Sequence, residues 1–423
     1  MAYDQLQVQR ARFAVEDVDS SESNFASDLT GDIATNFADL RHEPLRIMRS
    51  DMVTEDTTVV QRDLQRRNHV LGPERATTQV VSFWCGTNEA ITSSVVSPTK
   101  TTQSKILEAV FGGYHADSGS TVEASPSPTT TTATVGSGEG ARFAKGQIAA
   151  IGSSAANALP VLITDVSTDA LTWWPALPSA PAENDVVYGA QTIYCDTSSK
   201  QTIQVLAEMA KQRGNIWLGL GGWPTGFSMD WSRGQLAKWT LDLQFAKYLH
   251  DDEMATPLGG SAISAATYDG TGPAYSDEGG CILTSDTTRT LVKVSALSVN
   301  FGGAAARFEI GQHSGVEGLG APERNTREPI TIEVTLLTPG DYEVYHDAYK
   351  AETDYGIMFW ISGGGAGKGR VFAAPTCQII APPEPTEAFG MEGLKLTLMA
   401  KENARTTSGT TAQHLSPFYL GHY

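Results

Sequence analysis

The sequence predicts a mainly β protein, made of two tandem antiparallel β-sandwich or barrel domains with one short helix each and a small β module inserted in the first. Three observations predict it. At 423 residues the chain has room for two or three domains, each able to bury a core. LGPERATTQVVSFW, starting at Leu71, returns as LGAPERNTREPITIEV, starting at Leu319, so that Pro73, Glu74 and Arg75 recur as Pro322, Glu323 and Arg324, 249 positions on. Around both copies, runs that alternate apolar with polar side chains are bounded by turn formers, the pattern of strands joined by tight turns.

Residues 1–40 are acidic and turn-rich and form a predicted arm, with ARFAVED as its one strand. The first domain is expected over 41–117 and 200–250. It opens with a strand, LRIMRSDM (45–52), followed by a long polar hairpin loop at 53–70 that is rich in Thr, Gln and Arg. The strand from Thr78 places Val81, Phe83 and Cys85 on one face. SKILEAVFGGY then offers Ile106, Leu107, Val110 and Phe111 at helical spacing, stopped by Gly112 and Gly113. In the closing hairpin, WPTGFSMDWSRGQLAKWTLDLQF, Phe227, Met229 and Trp231 point one way and Ser228 and Asp230 the other; Trp239, Leu241, Leu243 and Phe245 alternate in the same manner. A one-residue slip exposes every large side chain, so the register is tightly specified.

After an interdomain linker at 251–285, a second domain at 286–403 repeats this order. KVSALSVNF turns Leu297, Val299 and Phe301 to one side, a polar loop covers 302–320, and ITIEVTLL alternates Ile330, Ile332, Val334 and Leu336 against Thr331, Glu333 and Thr335. PGDYEVYHDAYKAE supplies the second short helix, with Tyr342, Tyr345, Ala348 and Tyr349 on its buried face. The last strand aligns Leu394 with Trp239, 155 positions apart, so the first copy carries roughly 90 additional residues after its helix. They form the inserted module at 118–199. Within it, 118–140 is a Ser/Thr/Pro-rich linker or mobile loop, and ARFAKGQIAAIG, LPVLITDV, ALTWWPAL and ENDVVYGA are four short strands. Residues 404–423 form a polar tail with an aromatic tip.

Composition narrows the function. A net charge of −18, with 40% apolar and 18% charged residues, marks a folded protein whose surface repels nucleic acid. Cys85, Cys195, Cys281 and Cys377 lie far apart, several in strand-like runs, and are expected to be buried free thiols. The opening residues hold no apolar signal segment, and no run approaches the ~20 apolar residues of a membrane helix, so folding in a cytoplasm without a membrane partner is expected.

Catalytic constellations do not emerge. SGGGAGKGR (362–370) has Ser362 and Gly369 where a Walker loop needs Gly and Ser or Thr, and it lies between strands as a hairpin tip. GFSMD carries Asp230 where a nucleophile elbow needs its second Gly. The eight histidines form no HExxH, no CxxC occurs, and Glu22 stands where a calcium loop starting at Asp17 needs Gly. The chain therefore reads as a non-enzyme with no cofactor or metal. Trp223, Trp231 and Trp239 suit core packing better than a sugar-stacking platform.

Two similar β units with open sheet edges suit a part that assembles, because such edges need a partner and head-to-tail joining closes into rings. The RFAVED lead, the Gly-Pro-Glu-Arg start of a strand, the helix SKILEAVFGG, the inserted β module, the WPTGFSMDWSRGQLAKWTLDLQF hairpin, ALSVNFGG, REPITIEVTLL and EGLKLTLMA together resemble the major tail tube proteins of long-tailed bacteriophages, over about residues 45–400. The resemblance rests on patterns of strand and turn. It implies two tail-tube-type domains in tandem and a structural virion protein whose stacked rings surround a β-lined channel for viral DNA. Its partners would be further copies of itself, the tail tape measure, the tail terminator, and baseplate or tip proteins, in the virion tail after assembly in the host cytoplasm. It also implies that the loops at 53–70 and 302–320 reach the neighbouring ring, through Glu55, Thr58, Gln61, Arg62, Arg66, Arg307, Glu309 and Gln312. The inserted module and the tail should decorate the outer wall.

The two aligned copies add the expectation of trimeric rings with pseudo-sixfold symmetry. Combining repeat and charge places Ser228, Asp230, Thr240, Asp242, Gln244, Thr331, Glu333, Thr335 and Thr397 on the channel wall. A polar, net acidic lining with few cations cannot grip phosphates, so DNA passes without specific binding. The competing expectation is a β-rich carbohydrate-binding or surface-decoration module of a virion that works through its tryptophans.

Overall fold

The computed structural model of the chain describes residues 8–17, 26–45, 49–56, 69–87, 89–95, 98–116, 118–198, 200–209, 216–258, 268–270, 272–273, 279–305, 307–308, 323–324, 328–337, 341–362, 367–388, 390–406 and 411–423. They fold as a mainly β protein with large antiparallel sheets.

Strand β1 (Val8–Asp17) is followed by a short helix α1 (Ile33–Asn36) and β2 (Ala38–Asp39). β3 (Arg49–Asp56) and β4 (His69–Phe83) form a hairpin, and α2 (Thr102–Phe111) runs into β5 (Gly112–His115). Next come β6 (Ser120–Thr121), β7 (Thr132–Thr134), β8 (Ile148–Gly152), β9 (Leu159–Ser167), β10 (Ala170–Trp174) and β11 (Val186–Tyr188), a separate sheet in the order β6-β11-β8-β9-β10-β7. β12 (Gln191–Cys195) returns beside β5, and β13 (Gln201–Met209), β14 (Ile216–Ser232), β15 (Lys238–Phe245) and β16 (Lys247–His250) follow.

The second half holds β17 (Gly279–Thr284), β18 (Leu291–Val292), β19 (Val294–Asn300), the small pair β20 (Arg307–Phe308) and β21 (Glu323–Arg324), and β22 (Thr331–Leu336). Helix α3 (Tyr342–Lys350) precedes β23 (Asp354–Ile361), β24 (Arg370–Ile379), β25 (Glu384–Ala388) and β26 (Met391–Ala400). A short α4 (Ala412–Leu415) and β27 (Tyr419–His422) come last.

Eight strands lie side by side in one antiparallel layer, β3-β4-β15-β14-β19-β22-β26-β25. Each half contributes four in the same order of connection: a hairpin, then a later strand, then the strand that precedes that one in the chain. The β14–β19 ladder is the seam between them. Behind this layer lie β2-β1-β13 with the first residues of β14 and β16, and β18-β17-β23-β24 with β27. Between the layers Val80, Phe227 and Trp239 meet Phe13, Ile203 and Val205, and Leu297, Val334 and Leu396 meet Cys281, Ile357 and Phe372. One apolar core thus runs through both halves and across the seam.

Helix α2 closes that core. Thr101 caps it by accepting from Ser104 N–H at 3.2 Å, and Gly112, at φ 91°, ends it in the left-handed conformation that a residue without Cβ adopts freely. Phe111, fully buried, packs on Phe227, Phe301 and Phe418 with ring centroids 5.1, 4.9 and 4.8 Å away.

The structure departs from the sequence expectations in five places. The strand expected in the arm is β1, paired with β13 along its length, whereas the predicted linker supplies β17. Residues 118–140 are not simply a linker: β6 and β7 lie there, and Val122 bridges Val135. The tail is built into the fold, β27 pairing with β12 on one side and β24 on the other. On α3 only Tyr345 and Ala348 are buried, whereas Tyr342 is exposed and Tyr349 half-buried.

The fifth departure concerns β4, whose inward residues are Ala76, Thr78, Val80, Ser82 and Trp84, with Val81 and Phe83 half-buried on the opposite face. Apolar residues stand at both parities here, and the ladder decides between them. Asp242 pairs with Gln79 as Thr397 pairs with Glu333, so Gln79 corresponds to Glu333, 254 positions on, and not to the residue 249 on that the Pro-Glu-Arg match implies. The difference is odd, and an odd shift exchanges the faces of a strand.

The inserted module has a core of its own around Leu171 and Trp173. Although it interrupts the first half, it packs on the second: Ile148, Leu162 and Trp174 lie against Ile282, Met358, Trp360 and Val371. Trp174 Nε1–H donates to the Asp286 carbonyl at 3.0 Å, fixing this contact. The module therefore sits on the back of the molecule, away from the open face of the eight-stranded layer.

Candidate functional site

The open face of the eight-stranded layer is the candidate site. It follows from strict alternation: in β15 the inward residues Trp239, Leu241, Leu243 and Phe245 are buried while Lys238, Thr240, Asp242 and Gln244 stay partly exposed, and β19, β22 and β26 behave alike. All nine expected wall residues fall on this single surface. Ser228 is opposite Thr240 and Asn300; Asp230 is opposite Lys238 and Ser298; Thr331 is opposite Asn300, Glu333 opposite Ser298 and Thr397, and Thr335 opposite Lys395. Gln244 lies between Trp223 and Thr77 near one end.

Hydrogen bonds hold the carboxylates in place across the strands. Gln79 Nε2–H donates to Asp242 Oδ1 at 2.8 Å, and Ser298 Oγ–H donates to Asp230 Oδ1 at 2.7 Å, across the seam. On the six strands β14, β15, β19, β22, β26 and β25 two cations share the face, and both are ion-paired: Lys395 Nζ lies 3.0 Å from Glu333 Oε2, and Lys238 Nζ binds Glu43. Sequence reading missed these lysines, although the same alternation that exposes Thr240 and Thr397 also exposes Lys238 and Lys395. It missed Gln79, Ser298 and Asn300 too, and Glu384, which is paired with Lys395 at the edge of the layer. The result is a surface rich in hydroxyls, amides and carboxylates whose cations are already neutralised.

Among the expected inter-ring residues, Glu55 lies in β3 and Arg307 in β20, while Thr58, Gln61, Arg62, Arg66, Glu309 and Gln312 lie outside the described residues. The β3–β4 and β19–β22 hairpins leave the layer at the same end, because strands β3 and β19 run in the same direction.

A cleft of about 830 Å³ at the far end of the seam, lined by Trp231, Arg233, Cys281, Lys293, Leu337 and Phe359, has no carboxylate or histidine in its described wall, and burial pushes the Cys281 thiol up. The four cysteines are free thiols, three of them buried. Trp223, Trp231 and Trp239 are all buried, so no sugar-stacking platform is open on them. Among the described residues no group of three His, Cys, Asp or Glu is placed to hold a metal, and no helix is long and apolar enough to cross a membrane. No protein-family model matches the sequence, and no curated protein matches it.

Proposed function

We propose that this chain is a tail tube subunit, a structural protein whose copies join into rings and stack around a channel that viral DNA traverses. The single observation that carries the reading is the eight-stranded layer. It consists of two four-stranded sets of like connectivity joined edge to edge, its back is packed, its face is polar, and among the described residues β3 and β25 are left as open edges. In this reading the two sets are two tandem tube domains, the face is the channel wall, and the inserted module and β27 lie on the outer wall of a virion tail assembled in the host cytoplasm.

Closure size favours three chains. With strands about 4.8 Å apart and tilted by roughly 40°, twenty-four strands enclose a bore of about 38 Å once side chains are subtracted, whereas sixteen leave about 20 Å, too tight for a hydrated duplex. Three chains of eight strands give the larger bore and a pseudo-sixfold outline. Negative-stain imaging of the concentrated protein tests this: tubes are expected, with three chains and six lobes per ring seen end-on. A protein that stays monodisperse at every concentration and with added tube fragments sinks the reading, and six chains per ring sinks its stoichiometry.

A further inference from the structure

We infer that the cleft at the far end of the seam receives the acidic segment 309–322 of a second copy, whose carboxylates meet Arg233 and Lys293. This rests on the tube reading and specifies the contact between stacked rings. The cleft opens between the two layers, where β14 ends and β19 begins. Trp231 and Phe359, both buried and with ring centroids 4.7 Å apart, line its inner part, and Val292 and Leu337, both half-buried, give it apolar sides. Its volume of about 830 Å³ falls within the range of about 300–1,000 Å³ over which pockets cover most of a bound group.

Charge sets this cleft apart from the open face. On that face Lys238 and Lys395 are each held by a carboxylate, whereas among the described residues neither Arg233 nor Lys293 makes an ion pair. Both are exposed, and the described wall around them holds no carboxylate. In a chain of net charge −18, two cations beside an apolar cleft fit an occupant that is acidic and carries apolar side chains.

Topology and sequence select that occupant. β19 runs from Val294 at the cleft to Asn300 at the opposite end, and β22 starts at that opposite end with Thr331 and returns to Leu336. The pair β20–β21 belongs to the connection at the end away from the cleft, so an occupant drawn from this connection comes from a copy stacked end to end, in the head-to-tail manner of a filament. Two connections leave the layer at that end, and their charges are opposite in sign. Residues 57–68, between β3 and β4, hold Arg62, Arg66 and Arg67 against Asp63, a net +2 that the cleft repels. Residues 309–322, between β20 and β21, hold Glu309 and Glu317 and no Lys or Arg, a net −2, together with Ile310, Val316 and Leu319. Of the two acids Glu317 stands nearer the middle of its segment, and it is the one we pair with Lys293.

Zero-length cross-linking and charge reversal test the pairing. Tubes assembled from equal parts of isotopically heavy and light chains, treated with a carbodiimide and digested, are expected to yield Lys293 joined to Glu317, with heavy peptides linked to light ones. Lys293→Glu and Glu317→Lys are each expected to raise the critical concentration for assembly about five- to tenfold, and the two together to restore it. Tubes with no link at Lys293, or with Lys293 linked instead to Asp63 or to Asp277 or Glu278, overturn the inference and leave the tube reading standing. A double reversal no better than either single does the same. A wild-type chain that never polymerises overturns both.

Discussion

His422 lies wholly inside the fold, accepting at Nε2 from Trp84 Nε1–H at 2.9 Å, with Ser104 Oγ 3.4 Å from Nδ1. An accepting Nε2 requires the neutral ring with its proton on Nδ1. Burial, with Arg370 nearby, lowers its pKa from 6.5 to about 3. Unfolded chains bind a proton near pH 6.5 that the folded chain refuses down to about 3, so the stabilisation is complete above the first value and drains away as pH falls toward the second. We expect the wild type to lose a few kcal/mol across that window beyond what His422→Gln loses, because glutamine keeps an acceptor and does not titrate. Urea unfolding at stepped pH measures this, and identical pH profiles would exclude His422 as the cause. No local pattern marks His422 in the sequence, since its partners lie 338 and 318 residues away. Phe227, Trp239 and Leu396 were legible because alternation alone decides which way they face. Val81 and Phe83 were not, because apolar residues stand at both parities (Val80 and Trp84, Val81 and Phe83), so either face could be the inner one, and pairing with β15 settles it.

Elements with strong periodicity were legible almost to their ends: β15, β19, β22, β26 and α2 all stand where alternation or helical spacing puts them. Elements made by their neighbours were not. β6 and β7 are two and three residues long within Ser, Thr and Pro, and become strands because β11 and β10 present ladders to them. β27 is the larger case. Its four residues, fully covered, lace β12, the stem of the inserted module, to β24 of the second half. Removing residues 419–423 should therefore loosen that junction together with Ile148 and Leu162, which pack beside Tyr419 and Tyr423, and leave the module's other core around Leu171 and Trp173 intact, because it does not involve them. Hydrogen exchange measures the difference: amides of β12 and β24 are expected to speed up by at least about tenfold, a loss of roughly 1.4 kcal/mol of local protection, while those of β7 and β10 hold. Equal acceleration throughout would show that β27 supports the whole fold and not one joint.

At the scale of the whole molecule, the formal charge of −18 and the character of the open face belong together. Along β14, β15, β19, β22, β26 and β25 that face carries Asp230, Asp242, Glu333 and Glu384 against Lys238 and Lys395, a net −2 per chain on those six strands, with both lysines occupied by carboxylates. A polyanion passing these six strands finds water and hydroxyls to contact but no free cation among them to displace its counterions, so association there lacks the term that supplies most non-specific affinity. Replacing Asp230, Asp242 and Glu333 by Lys raises the face from net −2 to net +4 per chain and frees Lys395 from its partner. These side chains are at least partly exposed and outside the core, so the fold should survive, at about 1 kcal/mol or less for each exposed pair lost. The triple variant is then expected to bind duplex DNA at low salt, with an affinity that falls steeply as salt rises, by a slope of about −0.9 per phosphate neutralised, whereas the wild type shows no binding. Fluorescence anisotropy with a labelled duplex across a salt series reads both. Wild-type binding as tight as the variant's would mean that the face grips DNA, and a channel that lets DNA slide could not be built from it.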